Sequence, residues 1–161
     1  KFMTKLTMLA LAVITAIVLL LTVWQKAYAE EVIYHVSAYH TNDNYGSFSY
    51  NNKTDGLGVR WKDVSIGTYH GSYNSEGSLA GTIVYVSKKT PVASAGNLTL
   101  SSDLSLTYGY PERLKGNVQG LMLVPSVTAE YGGKKYAVAV SMVPGQWKNG
   151  DNAYLLSVIV K

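Results

Sequence analysis

The sequence contains no cysteine. That excludes a disulfide framework, thiolate metal sites and thiol catalysis. No segment after Ala29 shows a helical period, so a helix bundle and a doubly wound α/β domain are excluded too. Basic residues are scattered and form no stripe, which argues against a nucleic-acid partner. The histidines do not stand with carboxylates at metal-ligand spacing. The glycine-rich segments lead into no helix, so they are not phosphate loops. No metal and no cofactor is therefore expected.

One long apolar run is present, Leu6 to Trp24, behind Lys5. It is followed by "QKAYA", in which Ala27 and Ala29 form an A-x-A cleavage pattern before Glu30. Residues 1–29 read as a signal peptide helix, either cleaved or retained as an anchor, and residues 30–161 as one domain. The leader holds Lys1, Lys5 and Lys26 and no acid. The remainder keeps 11 Lys and Arg against 10 Asp and Glu. The basic balance of the whole chain thus belongs mostly to the leader.

The remainder is a series of short alternating runs separated by turn residues. They cover Val32–His40, Ser47–Tyr50 resuming at Leu57–Trp61, Ser65–Tyr73, Leu79–Lys88, Leu98–Tyr108, Leu121–Tyr131, Lys135–Val143 and Ala153–Val160. Counting the interrupted run once gives eight. Leu98, Leu100, Leu104, Leu106 and Tyr108 share one face; Thr99, Ser101, Asp103, Ser105 and Thr107 share the other. Two architectures have this period: a soluble sandwich or barrel with its apolar face inward, and a small membrane barrel with that face outward. Tyrosines near run ends (Tyr34, Tyr73, Tyr108, Tyr110, Tyr131, Tyr136, Tyr154), with Trp61 and Trp147, suit an aromatic girdle at the membrane surface. The expected fold is all-β: an eight-stranded antiparallel up-and-down barrel.

Proline is rare, with four in the chain. Two of them flank one expected hairpin: Pro125 precedes the Gly132-Gly133 turn and Pro144 follows it. A proline gives no N–H to a ladder. Either both lie at strand ends, or they thin the bonding between the sixth and seventh strands.

Of His35, His40 and His70, His40 ends the first run at "SAYHTNDNYG". The third run ends "GTYHGSYNS", at Asn74 and Ser75. Odd-numbered strands of an up-and-down barrel reach the same rim, so His40 and Ser75 can converge there. A histidine beside a hydroxyl is the minimum for base-assisted acyl transfer.

These segments resemble the PagP-like lipid A palmitoyltransferase family of small outer-membrane barrels. "SAYH" is similar to the aromatic-His end of its first strand. "TDGLGVRWKDVSIGTYHGSYNS" is similar to its glycine-rich second strand, turn and Gly-x-Tyr third strand. "LVPSVTAEYG" and "MVPGQWKNGDNAYLLSVIV" are similar to its last three strands, a proline in each of the sixth and seventh included. The resemblance implies a Gram-negative outer-membrane enzyme that moves an acyl chain from phospholipid to lipid A. His40, Asn74 and Ser75 would be its catalytic residues, with Asn74 where the family has Asp. Pro125 and Pro144 would flank a lateral opening for the chain. Gly56, Gly58, Gly67 and Gly71 would leave it room inside. Membrane lipid, phospholipid and lipid A, is the implied partner, and the protein is expected to be a monomer. Other readings are a non-catalytic lipid- or protein-binding barrel and a soluble periplasmic barrel.

Overall fold

The computed structural model describes residues 30–41, 44–45, 48–49, 52–73, 79, 81–111, 114, 116–145 and 152–161. The expected leader, residues 1–29, lies outside them. So do Asn74, Ser75 and Trp147.

The described strands are β1 (Glu31–His40), β2 (Asn44–Tyr45), β3 (Phe48–Ser49), β4 (Gly56–Trp61), β5 (Val64–His70), β6 (Thr82–Ala95), β7 (Leu98–Tyr108), β8 (Leu121–Gly132), β9 (Tyr136–Val143) and β10 (Ala153–Val160). Eight of them close into an antiparallel barrel in the order β1-β10-β9-β8-β7-β6-β5-β4. Closure gives each of the eight strands a partner on both sides over at least part of its length. The remaining pair, β2 and β3, is a separate two-stranded sheet. Phe48–Ser49, the described part of the run expected over Ser47–Tyr50, thus belongs to that separate pair, and the second barrel strand among the described residues is β4. Its polar neighbours, "NNKTDG", break the alternation that a wall strand needs.

All connections at one end are tight: Lys62-Asp63, Gly96-Asn97 and Gly133-Lys134-Lys135. Lys62 (φ 54°) and Gly96 (φ 57°) take the left-handed backbone that two-residue hairpins require. All connections at the other end are long: 41–55, 71–81, 109–120 and 144–152. These are called below the short-turn end and the long-loop end. The hairpin β6–β7 projects past the short-turn end, because β5 stops pairing at Val64↔Lys88 while β6 continues to Ala95. Pro91 lies on that free edge, where its missing N–H deprives no neighbour, beside a register shift at Pro91/Ala93.

The outer face of the wall is apolar, and the buried side chains are mixed: polar ones lie with Ile33, Ile66, Ile83 and Ile159. On β7, Leu98, Leu100, Leu104 and Leu106 are 38–52% exposed, whereas Ser101 is 1% and Thr107 2% exposed. Around the rest of the barrel Leu57, Leu123, Val127, Val138 and Val140 face out, and Arg60, Ser65, Ser87, Thr128, Glu130 and Ser157 are buried. A soluble barrel has the opposite arrangement, with its apolar row turned inward.

Candidate functional site

A bulge decides where His40 points. β1 pairs β10 as His35↔Ser157 and then Ser37↔Leu156, so Val36 is an extra residue. One extra residue reverses the alternation beyond it. Ile33 and His35 face inward before the bulge; Ala38 and His40 face inward after it. Tyr39 is 58% exposed and His40 6%. Without the bulge, His40 would face outward.

His40 lines a pocket at the long-loop end with Ala38, Thr54, Ser72, Tyr73, Tyr110, Met122, Val124 and Val143. Tyr73, Leu114, Met122 and Val124 form one buried apolar cluster, and Tyr110 packs on it. Tyr73 and Tyr110 meet edge to face, with ring centroids 5.9 Å apart. The expectation of a girdle position does not hold for these two: they lie just past the ends of β5 and β7 and line the pocket. Tyr34, Trp61, Tyr131 and Tyr136 do face outward, 45–64% exposed.

The 109–120 connection is built to hold Tyr110. Asn117 donates its side-chain amide to the carbonyls of Tyr110 (3.2 Å) and Pro111 (3.1 Å) and accepts from Gly120 N–H at 2.7 Å. Gly109 has φ 119°, and a Cβ there would lie 2.2 Å from the Thr82 carbonyl. Glycine alone permits that approach. The Tyr110 hydroxyl then meets that of Tyr69 at 2.7 Å. Desolvation raises the pKa of Tyr110, partly offset by the bond to Tyr69. At neutral pH the phenol stays protonated.

Tyr69, Val124, Val143 and Leu155 border both this pocket and a second one below it. They form a floor. Beneath it, the His35 ring bonds Ser157 Oγ (3.0 Å) and the Tyr85 hydroxyl (2.9 Å). The Tyr85 ring lies across Gly58 and Gly67, which pair side by side. A Cβ on Gly58 would fall 2.2 Å from the Tyr85 hydroxyl, and one on Gly67 2.8 Å from it. The room expected beside these two glycines is therefore taken by Tyr85. A Cβ on Gly56 would meet the Thr68 carbonyl at 2.2 Å, and one on Gly71 would meet Ile83 at 3.0 Å. None of the four glycines opens a channel for a chain. Below Tyr85 the interior is hydrophilic, with Ser87, Asp103, Ser105, Ser126, Thr128 and Ser141 lining it.

Ion pairs close the short-turn end. Glu130 accepts from Lys89 Nζ (2.6 Å), Arg60 Nη2 (2.9 Å) and Lys161 Nζ (3.1 Å). Arg60 also pairs with Glu31. His70 lies outside the barrel with Asp55 at 3.1 Å, both more than half exposed, and does not approach His40. No group of three metal-ligating residues occurs among the described residues.

The two prolines meet at a seam. β8 and β9 pair from Gly132↔Ala137 to Val127↔Met142, where the ladder among the described residues ends. β8 itself continues to Leu121, still paired with β7, and β9 to Val143, paired with Ala153 of β10. Extending the β8–β9 register by two residues sets Pro125 opposite Pro144. Pro125 lies inside β8; Pro144 lies one residue past β9. Val124, Val143 and Pro144, at the edges of this seam, line the pocket that holds His40. The register row His40↔Ala153↔Val143 puts histidine and seam at one height.

The sequence placed His40 at a rim and the prolines in adjacent strands. It missed Thr54, Ser72 and Tyr69 as pocket residues. Comparison with protein-family models and with curated proteins finds no match.

Proposed function

We propose that this barrel lies in the outer membrane of a Gram-negative bacterium and binds a lipid acyl chain in the pocket at its long-loop end. The chain enters sideways between β8 and β9, and acyl transfer or hydrolysis takes place at His40. The observation that carries this reading is the coincidence of seam and pocket. The β8–β9 ladder ends at Val127↔Met142, two residues short of Pro125 and Pro144, and Val124, Val143 and Pro144 beside the break line the histidine's pocket. Within a bilayer, lost backbone pairing is costly, so a break in the wall needs a use.

The outer surface supports lipid contact. Leucines and valines cover it from rim to rim, with tyrosine and tryptophan near its ends, and a water-exposed protein rarely shows so much contiguous apolar area. The tight turns at one end and long loops at the other match bacterial outer-membrane barrels. The resemblance to the PagP-like family points the same way.

In this reading the acyl chain lies among Ala38, Met122, Val124 and Val143 and stops at the Tyr69 floor. His40 takes the proton of the attacking hydroxyl, on lipid A or on water. That oxygen bonds to the ester carbonyl carbon, the ester C–O bond breaks, and the lysolipid leaves with the proton from the imidazolium. Asn74 and Ser75 serve as positioning residues for His40 or the ester. Asn74 favours a second reading, a non-catalytic lipid-binding barrel, because an amide orients an imidazole but does not stabilise its cation as a carboxylate does.

Mass spectrometry of lipid A from Gram-negative cells expressing the chain tests this. An added acyl group is expected, and His40→Ala should lower its yield about 10²–10⁴-fold while barrel assembly persists. Unchanged lipid A and phospholipid profiles, with lipid bound in the purified protein, would select the second reading.

A further inference from the structure

We infer that Thr54 is a substrate-binding residue, donating its hydroxyl to an ester carbonyl held beside His40. The inference rests on the acyl-lipid reading above. Thr54 lies in the segment before β4, and its backbone is pinned on both sides. The Asn52 carbonyl accepts from Ala38 N–H at 3.0 Å, and the Asp55 carbonyl from His70 N–H at 2.9 Å. Thr54 is 2% exposed and lines the His40 pocket. Its Oγ1 is buried and makes no hydrogen bond to any described residue. Folded proteins rarely leave a buried hydroxyl unsatisfied, and those that do commonly leave it at a functional position.

The neighbours decide what the hydroxyl takes. Lysine, arginine, aspartate and glutamate are all missing from the described lining. A phosphate or an ammonium group would lose its water there without a counter-charge. A neutral carbonyl carries no such cost, and in an acyl lipid it sits directly at the head of the apolar chain. The pocket has the matching mixture, with Thr54, Ser72 and His40 lining it together with Ala38, Met122 and Val124. A hydroxyl held in place by a fixed backbone is a preorganised donor for a carbonyl oxygen.

The test compares binding of two fluorescent phosphatidylcholines by the purified chain in detergent, one with ester-linked and one with ether-linked tails of equal length. The wild type should prefer the ester about fivefold, the value of one neutral hydrogen bond. Thr54→Val should abolish that preference while still binding both lipids, and Thr54→Ser should retain it. Heat-modifiable gel migration confirms that each variant is folded. Equal preference in wild type and Thr54→Val, or none in the wild type, overturns the role of Thr54 alone. Failure of the wild type to bind either lipid overturns the acyl-lipid reading and Thr54 with it.

Discussion

The two ends of the barrel are built on different principles. At the short-turn end the turns are minimal, and five charged side chains from β1, β4, β6, β8 and Lys161 interlock across the interior. At the long-loop end two ladders stop short among the described residues, β8–β9 at Val127↔Met142 and β1–β4 at His35↔Gly56, and the pocket is lined mostly by aromatic and apolar side chains. Tyr69 and Tyr85 stand between them. The difference shows how a small barrel can carry an incomplete wall: the charged network ties one half together, and the interrupted ladders lie in the half that holds the His40 pocket.

The sharpest contrast lies in how each end responds to mutation. Glu130→Leu leaves Arg60, Lys89 and Lys161 without their shared carboxylate. It should destabilise the barrel by about 3–5 kcal/mol, read as a lower urea midpoint, without changing lipid specificity. A change in lipid preference at unchanged stability would erase the distinction between the ends. Gly58→Ala forces a methyl against the Tyr85 hydroxyl and should cost about 1–3 kcal/mol. In a Tyr85→Phe background the same change should cost less, because the nearest atom is gone; equal costs in both backgrounds would show that Tyr85 does not fill that space. Smallest is Tyr69→Phe, which removes the bond to Tyr110 at the floor. It should cost about 0.5–1.5 kcal/mol and shift lipid binding more than the Glu130 change does. The reverse order would place the floor in the wrong half.

Much of the wall was legible in the sequence. β7 and β10 begin and end where alternation predicts: on β7 an inward row of Ser, Thr and Asp opposes outward leucines, whereas on β10 both rows are apolar apart from inward Ser157. Alternation could not say which face was inside, because a soluble barrel and a membrane barrel share one period. The exposed row gives the orientation: leucines and valines face out, while Arg60, Glu130 and several serines are buried together with Ile33, Ile83 and Ile159. The sequence did not reveal the Val36 bulge, which has no residue signature, and so the direction of His40 was hidden. Nor did it reveal the Glu130 cluster, whose members are scattered from Glu31 to Lys161 and meet only when the wall closes. Pro125 and Pro144 were legible as a pair because they flank one hairpin; that they face each other needed the register.

The lateral seam can be tested by stapling it. Pro125→Cys with Pro144→Cys puts two cysteines opposite one another in a chain that has no other. Loading of a long-chain phospholipid into the detergent-solubilised barrel should stop when the disulfide forms and resume when it is reduced. Equal loading in the oxidised and reduced protein would mean that lipid does not pass between β8 and β9.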